Sequence, residues 1–286
     1  VDELKEGFIG NCAPADLETM LQLVNLYFTQ PRKSPDDFAA VISKDHGQYD
    51  NILDNPQFYF INKFQQTIFN NSIRRGVPTK EKIDMVNFES AFKIYQERFS
   101  NAADFTFLFV GNVDMEKLKP LIETYLGSLP ATADRETWKD PNITKPAGIV
   151  KSKLQMGNTP KTLVGIHLHN NLPWSIQEEY NFNSMVKVLS ITLRETLRED
   201  KGGVYGVGVN GAFTRRPQER YGITIQFNAD PSKAEELIQL VYAKIDELKT
   251  TGTTDEKVNK VKETQRRERE TDLQENNFWL SNIEYF

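Results

Sequence analysis

Apolar residues recur every three or four positions through most of this chain and every two through a few short stretches. The longest helical stripe is Phe182, Met185, Val186, Leu189, Leu193 and Leu197, which predicts an amphipathic helix from about Ser175 to Asp200. Near the start, Leu17, Met20, Leu21, Val24, Tyr27 and Phe28 form another stripe, with Asp16 placed to cap it. Ser34-Pro35-Asp36-Asp37 supplies a capping hydroxyl, a proline at the first position and acids in the first turn. Asn55-Pro56 opens a helix carrying Phe58, Ile61, Phe64 and Ile68. Turns from Thr79 and Asn87 carry Phe88, Ala91, Phe92, Tyr95 and Phe99. Aromatic stripes at this spacing read as core.

The alternating stretches predict strands. Phe105, Phe107 and Phe109 interleave with Thr106, Leu108 and Val110, a strand apolar on both faces. A turn at 111–114 leads into a helix from Met115 to Leu126, ended by Gly127. Residues 131–147, following Pro130 and carrying Pro141 and Pro146, read as a linker. Strand patterns follow at 149–156 and 162–169. Tyr221, Ile223, Ile225 and Phe227 predict a half-buried strand. Asp230-Pro231 opens a helix with Leu237, Leu240, Val241, Ile245 and Leu248, broken at Gly252. The charged run from Lys257 to Glu270 reads as a solvated helix face.

Residues 105–126 and 221–248 share the order strand, acidic turn, helix. That weak repeat predicts an α+β class, with two related domains of antiparallel sheet packed with helices. The first domain, 1–130, is expected to be mainly helical and incomplete, closing on the strand 105–110. The second is expected at 148–286. A start inside a domain and an end within a helical pattern read as a piece of a longer protein.

The pattern converges on Leu193 to Val209, LRETLREDKGGVYGVGV. Gly202 and Gly203 are placed to stop the helix. Arg198 then falls in its last turn and Tyr205 just inside the next strand. Tyr205, Val207 and Val209 share one strand face; Val204, Gly206 and Gly208 share the other. Taken alone, these residues also have plain structural uses. An arginine there complements the helix dipole, a strand tyrosine is half-buried core, and strand glycines mark a bulge or close packing. Gly206, Gly208 and Gly211 spell G-x-G-x-x-G. A dinucleotide site needs that run to open a helix, and here it lies within a strand pattern followed by Thr214-Arg215-Arg216-Pro217.

Composition narrows the chemistry. The 286 residues carry a net charge of -5 with 26% charged residues, an ordinary globular composition. Acidic residues outnumber basic ones, which argues against nucleic acid as a partner. No apolar run reaches the roughly 18 residues of a membrane span. Cys12 is the only cysteine, so no internal disulfide forms and the compartment stays open, with a bacterial periplasm or cell envelope as the working expectation. The three histidines, His46, His167 and His169, do not form H-x-x-E-H or H-E-x-x-H. His167 and His169 face one way on a strand and read as a polar face, or as two potential metal ligands lacking a third. G-x-S-x-G and the phosphate-loop pattern are missing. Glu195, Glu199 and Asp200, at the helix end, read as surface charge.

An arginine, six residues and a tyrosine, after LRETLRE and before VYGVGV, resemble the second half of the inverted-zincin metallopeptidases. These are the pitrilysin and insulysin peptidases with their processing-peptidase relatives. Asp104 to Pro130 resembles the family's recurrent strand, Gly-Asn turn, helix and Leu-Pro ending; the paired helices of Asp16 to Phe69, with their PRKSPDDF turn, match as well. The resemblance implies the non-zinc half of a peptide-hydrolysing zinc endopeptidase, inactive alone. It implies that Tyr205 donates to the oxyanion formed on the attacked carbonyl. Arg198 would hold a substrate carbonyl or terminal carboxylate, and Gly206 would let a peptide backbone approach. No cofactor is implied in this chain; zinc is expected in a partner half, on the same longer chain or a separate subunit. Two other readings stay open: a non-catalytic structural or assembly subunit of the family, and a peptide-binding module.

Overall fold

A computed structural model describes residues 2–157, 160–200, 204 and 206–285. Contacts divide the chain into two compact units. One comprises residues 1–52, 78–139 and 270–286; the other comprises 53–77 and 140–269. This division departs from the linear one expected from the proline-rich stretch. Residues 53–77 pack with the second unit, and 270–286 belong to the first.

The first unit is helical. It contains α1 (Leu17–Thr29), α2 (Pro35–Tyr49), and, after an excursion into the other unit, α4 (Lys80–Asp84), α5 (Phe88–Phe99) and α6 (Met115–Tyr125). The intervening α3 is Pro56–Ile68. Ser34 Oγ accepts from the Asp37 N–H at 3.3 Å and Asn87 Oδ1 from Ser90 at 2.9 Å, the caps their positions predict. Asp16 and Thr79 make no side-chain cap. A small aromatic core forms around Phe28, Phe99, Ala102 and Leu129. Phe105 stacks edge-on against Phe28 with ring centroids 4.8 Å apart.

The expected closing strand at 105–110 is not one. The segment enters no ladder, and the described residues of this unit contain no strand to pair with it. Its alternating aromatics serve packing instead, with Phe105 and Phe107 joining the aromatic core. Residues 149–156 likewise join no ladder, and Ile149 is 89% exposed. An apolar alternation becomes a strand only where a neighbouring backbone meets its N–H and C=O groups.

The second unit carries the sheet. Its elements are β1 (Thr162–Asn171), α7 (Ile176–Arg194), β2 (Val207–Thr214), β3 (Arg220–Ala229), α8 (Ala234–Thr251) and most of α9 (Asp255–Asp272); α10 (Asn276–Tyr285) returns to the first unit. The strands are antiparallel in the order β1-β3-β2. Ile225 stands opposite Ile166 on one side and Val209 on the other. One sheet face is buried: Val164, Ile166, Ile225 and Phe227 meet Phe182, Val186, Leu189 and Leu193 of α7, and Leu237 and Val241 of α8. Each such side chain contributes about 1.5–3 kcal/mol on full burial. α7 crosses β2 closely at Gly211, where a Cβ would lie 2.6 Å from Val186 Cγ2 and 2.8 Å from Phe182 Cε1. The opposite face takes α3, whose Phe60 and Phe64 rest on Gly165 of β1; a Cβ there would lie 2.8 Å from Phe64 Cε2. This contact is why α3 packs with the sheet and not with the helices that precede it. α8 begins at Ala234, later than Asp230-Pro231 suggests, because Asp230 Oδ1 accepts from the Ser232 N–H at 2.8 Å within the preceding turn.

Candidate functional site at the end of α7

α7 starts at a cap in which Ser175 Oγ accepts from the Glu178 N–H at 3.0 Å. It runs regularly to Arg194. Glu195–Asp200 then continues as a π-helical turn, whose hydrogen bonds span one residue more than those of the helix before it. Insertions of this kind occur often at functional sites, because they turn a side chain away from the register of the helix. Here Leu193 and Leu197 are both 0% exposed, and Thr192 and Thr196 are buried with them. Arg198, next to the anchored Leu197, is exposed. Among the described residues it has no hydrogen-bond or ion-pair partner, so its fork of five donors is uncommitted. Lys257 of α9 braces the same turn, meeting Glu195 at 2.8 Å and Thr192 Oγ1 at 3.3 Å. The expected surface role of Glu195 is therefore an ion pair across two helices.

Tyr205 lies outside the described residues, as do Gly202 and Gly203. The residues flanking Tyr205 are described. Val204 is buried at 8% exposure, and Gly206 is exposed. Among the described residues no heavy atom lies within 4 Å of where a Cβ on Gly206 would sit. Among the described residues no packing contact requires glycine at 206, in contrast to Gly211. β2 then continues as a strand to Thr214 and no helix opens behind it, so the G-x-G-x-x-G spacing has no dinucleotide geometry.

The histidines have other surroundings. His167 and His169 do face one way, with ring centroids 5.6 Å apart. What they meet is basic. His167 Nε2 lies 3.3 Å from Lys145 Nζ, and Nδ1 lies 3.0 Å from Thr224 Oγ1. Burial, with Lys145 beside it, pushes His167 down to about 4. Burial also lowers His169, assisted by Lys145. His46 is elsewhere, on α2, between Asp50 at 2.7 Å and Asp84 at 3.3 Å. Among the described residues no group of three or more His, Cys, Asp or Glu side chains could hold a metal. Lys145 and Arg220, which join the histidines, carry no sequence signal: they come from an irregular stretch and a strand end 75 residues apart.

The family model described as the Peptidase M16 inactive domain matches residues 86–265. The "Probable zinc protease PqqL" of Haemophilus influenzae is 27% identical over 261 residues, covering 88% of this chain and 27% of that protein. The "Zinc protease PQQL-like" of Arabidopsis thaliana is 25% identical over 286 residues, covering 94% of this chain and 30% of that protein. Among solved structures, the periplasmic protease PqqL from Escherichia coli superposes with a TM-score of 0.78 at 20% identity, over 94% of this chain and 30% of that one. The first half of the same protease superposes with a TM-score of 0.61 at 16% identity, over 88% of this chain and 55% of that one. The chain thus spans less than a third of the length of these curated relatives.

Proposed function

This chain belongs to the peptidase M16 family, and on that premise we propose that it is the substrate-binding, active-site-completing part of a zinc-dependent endopeptidase, inactive alone. The observation that carries the reading is Arg198: exposed and without a partner among the described residues, on a π-turn held by Leu193 and Leu197, seven residues before Tyr205. In this reading the Arg198 guanidinium donates to a carbonyl or terminal carboxylate of a bound peptide. The Tyr205 hydroxyl donates to the oxygen that gains negative charge as the scissile carbonyl becomes tetrahedral. The open space at Gly206 admits the peptide backbone beside that hydroxyl.

Among the described residues the side chains do not fit a zinc site. The paired histidines are backed by the Lys145 ammonium, which repels a cation, and they lack a third ligand among the described residues. The zinc and the water it activates belong, in this proposal, to another half, carried on the same polypeptide or on a partner subunit. A likeness to both the whole and the first half of one protease supports a half built on a repeated plan. The relative described as periplasmic supports a bacterial periplasm or cell envelope as the compartment. Among the described residues no helix is long and apolar enough to cross a membrane. The test is steady-state kinetics of Arg198→Ala and Tyr205→Phe in the complete protease, read beside thermal unfolding. Wild-type kinetics in both would leave the scaffold or assembly reading standing.

A further inference from the structure

The polar face of the sheet collects positive charge. Antiparallel register sets His167 opposite Thr224, His169 opposite Gly222, and Arg220 opposite Asn171, towards the end of the strands away from Val207. Gly222 leaves room for the neighbouring ring, since a Cβ there would lie 3.0 Å from His167 Cε1. Over this face runs the irregular stretch following Asp140. Ile143, 4% exposed, anchors it, and Arg220 Nη1 donates to the Ile143 carbonyl at 3.3 Å. Asn70 donates to Thr144 Oγ1 at 2.8 Å. Lys145 is thereby delivered onto the cluster, with its Nζ 3.3 Å from His167 Nε2 and 3.5 Å from the centroid of the Phe69 ring.

Two of these cations, Lys145 and Arg220, lack a carboxylate partner among the described residues: Lys145 contacts a ring nitrogen and an aromatic face, and Arg220 contacts a carbonyl and the Gln218 amide. Burial, and then the neighbouring cations Arg220 and Arg75, hold Lys145 down to about 8. Half-buried cations set side by side destabilise a fold unless an anion lies among them. An oxyanion would accept charge-assisted hydrogen bonds from both.

We propose that Lys145, Arg220 and His169, over the Phe69 ring, form a binding site for a small oxyanion, a phosphate or a carboxylate. His167 is a positioning residue in this site. Its neutral ring accepts from Lys145 at Nε2 and donates to Thr224 at Nδ1, which aims the ammonium. The site is independent of the roles given to Arg198 and Tyr205.

The test is calorimetric titration of the complete protein that carries this sequence with inorganic phosphate, acetate and chloride at matched ionic strength. Saturable binding of phosphate or acetate, weakened about tenfold or more in Lys145→Gln and Arg220→Gln and kept in Lys145→Arg, supports the site. Tighter phosphate binding identifies a phosphoryl ligand, and tighter acetate binding a carboxylate. Thermal unfolding without anion guards against misfolding, because removal of one of two neighbouring half-buried cations should hold or raise the Tm. No saturable binding, a response that chloride reproduces, or equal binding by the wild type and both glutamine variants overturns the proposal.

Discussion

The Lys145 ammonium lies 3.3 Å from Nε2 of His167, so that nitrogen accepts and the ring stays neutral in the fold. Burial of this ring, with the ammonium beside it, sets a pH dependence. His167 is held down to about 4 from an ordinary 6.5. Between those values the unfolded chain binds the proton and the folded chain does not. Stability is therefore full above pH 6.5 and falls as pH drops towards 4, with His169 acting in the same sense. Denaturant unfolding at pH 7.5, 5.5 and 4.5 should show a smaller acid loss in His167→Gln than in the wild type (these pH values are about one unit apart or more, wide enough to bracket the window). An equal loss in both would contradict the assignment.

Lys145 gives the opposite limb. It is held to about 8 from an ordinary 10.5, so the unfolded chain keeps a proton that the folded chain has released between those values. Stability contributed by this group rises with pH across that window. Lys145→Met should flatten the rise, as measured by unfolding in alkaline buffers.

Two glycines, Gly206 just before β2 and Gly211 within it, should behave differently. Gly211→Ala places a Cβ against Val186 and Phe182, and should destabilise by about 1–3 kcal/mol, the usual range for overpacking. Gly206→Ala meets open space and should stay within about 0.5 kcal/mol of the wild type. Chemical denaturation distinguishes them. In the peptide-binding reading Gly206→Ala should nevertheless raise KM in the complete protease.

Tyr205→Phe keeps the ring and removes one hydroxyl. In the complete protease it should lower kcat by about 10²–10³, the loss typical of an oxyanion donor, equivalent to about 2.7–4 kcal/mol, with little change in Tm. Arg198→Ala should raise KM as well, because its proposed contact exists before the transition state. A structural Tyr205 predicts the reverse, lower stability with unchanged turnover per folded molecule.

Metal analysis of the purified chain should find less than stoichiometric zinc after dialysis. One tightly held zinc per molecule would point back to His167 and His169 despite the neighbouring Lys145.

Local patterns carried the elements that depend on local physics. Phe182, Val186, Leu189, Leu193 and Leu197 of the predicted stripe are the buried face of α7 and its π-turn, because 3.6-residue periodicity is a property of a single helix, while Met185 at the stripe's edge is 43% exposed. The alternation of Ile223, Ile225 and Phe227 is the buried face of β3, and Ser34 and Asn87 cap the helices they precede. The arginine-tyrosine spacing and its surroundings identified the family, which needs only chain order. Four other features required the tertiary structure. Residues 105–110 alternate as a strand does, yet no neighbouring backbone pairs with them, and a ladder needs two partners. α3 carries a helical stripe that does not say which surface it will cover, and its Phe64 meets Gly165, 101 residues later. The π-turn that exposes Arg198 has no sequence signature. Lys145, His167 and Arg220 form one cluster only because antiparallel register and a folded-back stretch bring them together; electrostatic contact depends on distance in space, and sequence separation does not encode it.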